Sequence, residues 1–232
     1  MNASPEHASN ADTVGAVDCC TADPRIARHF DKSVRAKAAK GALPEMVALS
    51  RRLLELLSDV GELRPSVLEL GSGSGALTVA LLERGAAAAN GIDLSPQSVA
   101  TAQRRAAAAG VADRATFSIG DGAQVPLTAH DWVVLDRVIC CYRDMDRLLA
   151  NAIGAANQRL AFSVPPSSGW PGLLARAIVT CENATMRFRG RQCPGYVHDV
   201  RAIERRLAAA GFTRLRHARV NLWYAAVWER PA

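Results

Sequence analysis

Residues 66–76 read Ser66-Val67-Leu68-Glu69-Leu70-Gly71-Ser72-Gly73-Ser74-Gly75-Ala76. A short apolar run carries one acid and then opens into glycines that alternate with serines. Such a run fits a strand buried on both faces. Glycines placed directly after it permit a tight turn and let a ligand lie against bare backbone at a helix start. The run alone is ambiguous, because a turn with no ligand uses the same residues. Gly71, Gly73 and Ala76 also satisfy the alanine-ended dinucleotide fingerprint.

The stretches around it set the architecture. A helix is expected over Ala76–Arg84, a strand over Ala89–Asp93, and a helix from Ser95-Pro96 through Ala109. Strands follow at Ala115–Ile119 and Asp131–Asp136, then a helix over Arg143–Asn157 and a strand over Arg159–Val164. Strands alternating with helices predict a parallel sheet covered on both faces. Past Pro165-Pro166 the pattern predicts a helix over Gly172–Glu182, a loop from Arg187 to His198, and a helix capped by Asp199 and ended by Gly211. Thr213–Val220 and Leu222–Glu229 lie so close in sequence that they should pair as an antiparallel hairpin. Ahead of the glycine run, residues 1–22 read as a mobile segment, followed by helices over Pro24–Lys40 and Pro44–Asp59. The expected fold is α/β: a Rossmann-like, mostly parallel seven-stranded sheet with a C-terminal antiparallel hairpin and an N-terminal helical cap over 23–62.

Composition narrows the classes. The 232 residues are 49% hydrophobic, enough for a core and too many for a disordered chain. No run of eighteen apolar residues suggests a membrane span, and the first residues lack a basic start and apolar stretch, so a cytoplasmic protein is expected. Six cysteines (Cys19, Cys20, Cys140, Cys141, Cys181, Cys193) form no Cys-x-x-Cys pair, which argues for reduced thiols over a zinc site. The net charge of +6 is uneven: residues 166–232 hold eleven basic and four acidic residues. That excess suits an acidic substrate or a solvated surface.

Two further acids sit where ligands bind in open α/β sheets, at carboxyl ends of strands. Asp93 closes the second strand, 22 residues past Gly71, where an acid can bond a ribose diol. Asp121-Gly122 follows the third strand.

With these residues the chain resembles the class I S-adenosylmethionine (SAM)-dependent methyltransferase family over about Ser66–Pro165. The resemblance implies that 63–232 is a SAM-binding methyltransferase domain. It implies that Glu69, Gly71, Ser72, Gly73 and Gly75 hold the methionine part, Asp93 and Leu94 the ribose, and Asp121-Gly122 the adenine edge, with Asp136 at the end of the fourth strand beside them. The closing hairpin fits this family and fits a dehydrogenase poorly. Leu135-Asp136-Arg137-Val138-Ile139-Cys140-Cys141-Tyr142 is similar to the matching segment of magnesium-protoporphyrin O-methyltransferase and quinone methyltransferase relatives. Nucleic-acid amino-methylating enzymes carry a polar residue, two prolines and an aromatic there, and cytosine C5 enzymes a Pro-Cys nucleophile; this chain has neither. Ser163-Val164-Pro165-Pro166 lacks the carboxylate of metal-dependent catechol enzymes, so no metal is expected.

The expected activity is methyl transfer from SAM to a small organic molecule, with no nucleic-acid partner. The acceptor atom and the oligomeric state stay open. A nicotinamide-dependent oxidoreductase and a non-catalytic SAM-binding protein are the rival readings. Tyr142 and His198 are the candidate catalytic side chains, against a packing tyrosine and a capping histidine. Cys140 and Cys141 could line the pocket, Arg187, Arg189 and Arg191 could steer an anion, and Phe30 and Trp170 could form a lid; inert thiols, a solvated surface and core packing are the competing readings.

Overall fold

The computed structural model describes Arg28, Asp31 and residues 43–58, 64–188 and 194–231. The segment 1–22, most of the expected helix Pro24–Lys40 with Phe30, and Cys19, Cys20, Arg189, Arg191 and Cys193 lie outside the described residues. In chain order the elements are α1 (Ala48–Ser58), β1 (Ser66–Leu70), α2 (Ala76–Glu83), β2 (Ala88–Asp93), α3 (Pro96–Ala108), β3 (Ala115–Ile119) and β4 (His130–Asp136). A 3₁₀ turn (Ile139–Cys141) leads to α4 (Asp146–Ala155), β5 (Ala156–Val164), α5 (Gly169–Phe188), α6 (Val200–Ala209), β6 (Thr213–Arg219) and β7 (Tyr224–Glu229).

The seven strands form one sheet in the order β3-β2-β1-β4-β5-β7-β6. β1 to β5 are parallel, and β7 runs antiparallel between β5 and β6. The chain steps outward from β1 to β3 and then returns to place β4 on the other side of β1. That reversal opens a crevice between the exits of β1 and β4, where such sheets bind ligands.

Period-two alternation divides the core. Val67, Trp132, Val134, Ala161 and Val227 face one side, packed on Leu53 and Leu57 of α1 and on α2 and α3. Leu68, Leu70, Val133, Leu135, Leu160 and Phe162 face the other, packed on Leu148 and Leu149 of α4 and Ile203 and Leu207 of α6. Both faces of the central strands are therefore apolar, as their continuous hydrophobic runs require.

Several boundaries differ from expectation. α1 begins at Ala48 and not at Pro44, because the Pro44 carbonyl accepts from the Arg105 guanidinium and that segment stays extended. The helix expected from Arg143 starts at Asp146, after the 3₁₀ turn and an Asp144 side chain that accepts from the Asp146 amide. It ends at Ala155, since Ala156 already pairs with His130. α5 runs through the expected start of a loop, from Gly169 to Phe188, so Arg187 is helical. Trp170 is 73% exposed, which removes core packing as its explanation.

Phe162 is fully buried in the sheet centre. Phe162→Ala is expected to cost about 3–5 kcal/mol of stability, measured by urea denaturation.

Candidate active site

The glycine loop is held by a carboxylate. Asp93 leaves β2 with Oδ2 accepting from the Gly73 amide at 2.8 Å and Oδ1 from the Ser95 amide at 2.9 Å. Burial raises its pKa, and the two amides oppose that shift. Ser95 then caps α3, its hydroxyl accepting from the Ser98 amide at 3.0 Å while Pro96 fills the first helical turn. Asp31 docks on the same corner, accepting from the Ser95 hydroxyl and from the Gln97 amide.

Gly71, Gly73 and Gly75 all have positive φ. A Cβ on Gly71 would meet Val138 Cγ2 at 1.9 Å, so that position tolerates no side chain. A Cβ on Gly73 would point into open space, which leaves the backbone there approachable.

A cleft of about 250 Å³ opens at this loop. Gly71, Gly73, Asp93, Leu94, Gly122, Asp136 and Tyr142, all expected site residues, line it. Pro44, Ile92, Ser98, Gly120, Arg137, Val138, Cys141 and Leu148 line it as well and were not foreseen, apart from Cys141. Gly120, Arg137, Val138 and Cys141 share one signal, a place just after a strand exit.

The other expected cofactor residues sit behind the wall. Glu69 is buried and bonds the Thr78 hydroxyl of α2. Burial lifts its pKa to about 8. Ser72 is buried with its hydroxyl unpaired among the described residues, and Gly75 packs against Ala102 and Phe117. Asp121 turns inward: Oδ1 accepts from the Ala123 amide at 2.9 Å and from the Tyr142 hydroxyl at 2.6 Å. Only its neighbours Gly120 and Gly122 reach the cleft.

At the β4 exit, Asp136 accepts from the Ser50 hydroxyl at 2.5 Å and the Ser163 hydroxyl at 2.6 Å. Arg137 follows with φ 58, a rare backbone state for a non-glycine residue. Its carbonyl accepts from both thiols, Cys140 at 3.5 Å and Cys141 at 3.7 Å. The two thiols also shift one another: Cys141 lowers the Cys140 pKa, and Cys140 together with burial raises that of Cys141.

Of the two candidate catalytic residues, Tyr142 has its hydroxyl committed to Asp121, and burial together with that carboxylate raises its pKa. His198 is absent from the lining and lies against the back of the same segment, its Nε2 2.8 Å from the Tyr142 carbonyl. A carbonyl only accepts, so Nε2 carries the hydrogen and Nδ1 keeps its lone pair. Burial lowers the His198 pKa, which favours the neutral ring.

Known proteins resemble this chain in part of its sequence and in its fold. Residues 67–158 match the family model described as a methyltransferase domain. A release factor glutamine methyltransferase of Rhodospirillum rubrum is 42% identical over 69 residues, 29% of this chain and 21% of that one. A ribosomal protein L11 methyltransferase of Haemophilus ducreyi is 49% identical over 49 residues, 21% of this chain and 17% of that one. The chain thus spans about a fifth of the length of these relatives. Magnesium protoporphyrin IX methyltransferase from Synechocystis PCC 6803 with bound SAM superposes with a TM-score of 0.62 at 18% identity, covering 89% of this chain and 96% of that one. An O-methyltransferase family protein from Burkholderia thailandensis gives 0.67 at 19% identity, over 87% and 61%. The chain carries the fold of these class I SAM-dependent methyltransferases, and residues 67–158 are similar to the methyltransferase domain family. The bound SAM of that neighbour agrees with the cofactor that the family resemblance implies.

Glu69 gives a test of the loop's foundation. Its folded pKa of about 8 lies above the ordinary 4.5, so the folded chain holds the proton more tightly than the unfolded one. Stability is expected to fall as pH rises from about 4.5 to about 8 and to level off beyond. Glu69→Gln should flatten the dependence of Tm on pH across that window, and an unchanged slope would assign it to another group.

Proposed function

We propose that the chain binds SAM in this cleft and transfers its methyl group to a small organic molecule. The observation that carries the reading is the Asp93 carboxylate, fixed by two backbone amides at the cleft wall beside the open face of Gly73. SAM supplies a methyl already activated on a sulfonium, so the protein's task is to align an acceptor with it and exclude water.

The residues present suit that group. Asp93 has lone pairs left for the two hydroxyls of a ribose. Gly71 and Gly73 let the amino-acid end lie close to backbone, and Ile92, Leu94, Gly120, Gly122 and Leu148 make an apolar slot for a flat base. Glu69, Ser72, Gly75 and Asp121 act one layer back, where they shape the loops that the cofactor touches. Asp136 closes the β4 side, held by Ser50 and Ser163.

A base is needed only where the acceptor arrives protonated. His198, behind the Tyr142 segment, is the remaining candidate base, whereas the Tyr142 hydroxyl serves as an anchor of the wall. A small-molecule acceptor draws support from the fold neighbours, one of which is a magnesium protoporphyrin IX methyltransferase.

Asp93→Asn should weaken SAM binding about tenfold or more, the scale of a hydrogen bond to a charged group, by titration calorimetry. Unchanged affinity would move the site elsewhere, and tight NADH binding without SAM binding would replace the reading with an oxidoreductase. With an acceptor found by labelled-SAM screening of metabolites, activity should fall on acidification through the histidine range. His198→Gln should remove that limb; a retained limb excludes His198 as the base.

A further inference from the structure

A second cleft lies on the same edge of the sheet. It encloses about 420 Å³, within the range of roughly 300–1,000 Å³ typical of small-molecule sites. Pro166, Ser167 and Ser168 from the β5 exit form one side, Val200, Arg201 and Glu204 of α6 another, and the β6–β7 hairpin the third. The hairpin contributes Arg214, His217, Ala218, Arg219 and Tyr224.

The charged groups facing this space are three guanidiniums and one carboxylate. Glu204 is engaged: it accepts from the Tyr224 hydroxyl at 2.7 Å and from Arg214 at 3.0 Å. Tyr224 is buried and makes a floor, with the His217 ring 6.0 Å from its own. Glu204 thus balances Arg214 and fixes its direction. Arg201 and Arg219 have no carboxylate partner among the described residues. They stand on different elements, α6 and β6, across one concave space. Two guanidiniums without a carboxylate partner that line one concave space suit an anion, with His217 as a further hydrogen-bonding group.

Its position relates it to the first cleft. Asp136 pairs with Ser163, Ser163 with Ala225, and Ala225 with Ala218. This single register row joins a lining residue of one cleft to a lining residue of the other. Three strand spacings separate its ends, about 14 Å.

We propose that this cleft binds the anionic group, a carboxylate, phosphate or sulfate, of the methyl acceptor. The proposal rests on the methyl-transfer reading for its substrate, while the anion site itself can be measured without it. The uneven charge of the chain then has a chemical role: part of the basic excess of residues 166–232 faces the end of the acceptor remote from the methyl.

The test is calorimetric titration of the full chain with inorganic phosphate at low ionic strength, and separately with SAM. Saturable 1:1 phosphate binding is expected, weakened about tenfold or more by Arg201→Ala combined with Arg219→Ala. SAM affinity should be the same in both proteins, which also reports that the variant is folded. Phosphate binding that is absent, or equal in both proteins, overturns the site. Phosphate binding lost in the variant while neither protein binds SAM supports the anion site and refutes the methyl-transfer reading. In a labelled-SAM metabolite screen, acceptors bearing an acid are expected, with KM raised and kcat little changed in the double variant. Uncharged or cationic acceptors overturn the substrate assignment.

Discussion

The Asp93 carboxylate does two jobs with two oxygens, and the cleft depends on both. One oxygen holds the Gly73 amide and so fixes the turn after β1; the other holds the Ser95 amide and so fixes the start of α3. A buried carboxylate must be satisfied by hydrogen bonds, or its burial would push it to the neutral form. The two amides meet that demand locally, and in doing so they tie β1, β2 and α3 together at one point. The tie extends outward through Ser95 to Asp31, and along α3 to Arg105, which donates to the carbonyls of Ser74 and Pro44. The segment ahead of α1 is thereby joined to the glycine loop by polar contacts, not by apolar burial alone.

Three acids, Glu69 of β1, Asp93 of β2 and Asp136 of β4, occupy the carboxyl end of the sheet. Grouped acids of low exposure cost stability, and each is handled differently. Glu69 is pushed toward its neutral form against Thr78; Asp93 is satisfied by backbone amides; Asp136 accepts from two serines. Arg137 adds an unfavourable backbone state directly after Asp136. Local rules are broken together here, at the crevice, and are obeyed in the strands behind it. That contrast is the usual mark of a site shaped for binding.

The sequence announced the fold through features that are local. The apolar run of β1, the Ser95-Pro96 helix start, the Asp199 cap and the closely spaced final strands each depend on neighbours within a few residues, and each reappears in the structure. Helix limits around β4 were misread because their determinants are distant: Ala156 becomes strand by pairing with His130, and Pro44 stays extended because Arg105 holds its carbonyl. Asp93, Leu94 and the glycines were legible at the cleft, since a strand-end position fixes where they point. Glu69 and Asp121 were legible as important positions but not as inward-facing ones. Which way a carboxylate turns is decided by Thr78 for one and by Tyr142 and the Ala123 amide for the other. Ser50, which reaches Asp136 across 86 residues, carried no signal at all.

The two clefts are built by different means. Residues 66–138 supply most of the first cleft from consecutive strand exits, so its shape follows from the order of the sheet. The second cleft is assembled from the β5 exit, α6 and the β6–β7 hairpin, and the loop before α6 is held by a few hydrogen bonds. His198 bonds the Tyr142 carbonyl, the Tyr196 amide bonds the Cys140 carbonyl, and Ser167 accepts from the Val200 amide. These contacts tie the loop before α6 to the β4 and β5 exits, while β7 extends the sheet by pairing with β5. Such a division lets the second cleft change its charge and lining while the Asp93 tie and the glycine turn stay in place. The concentration of arginine in that third, beside a nearly charge-neutral first two-thirds, is what this construction permits.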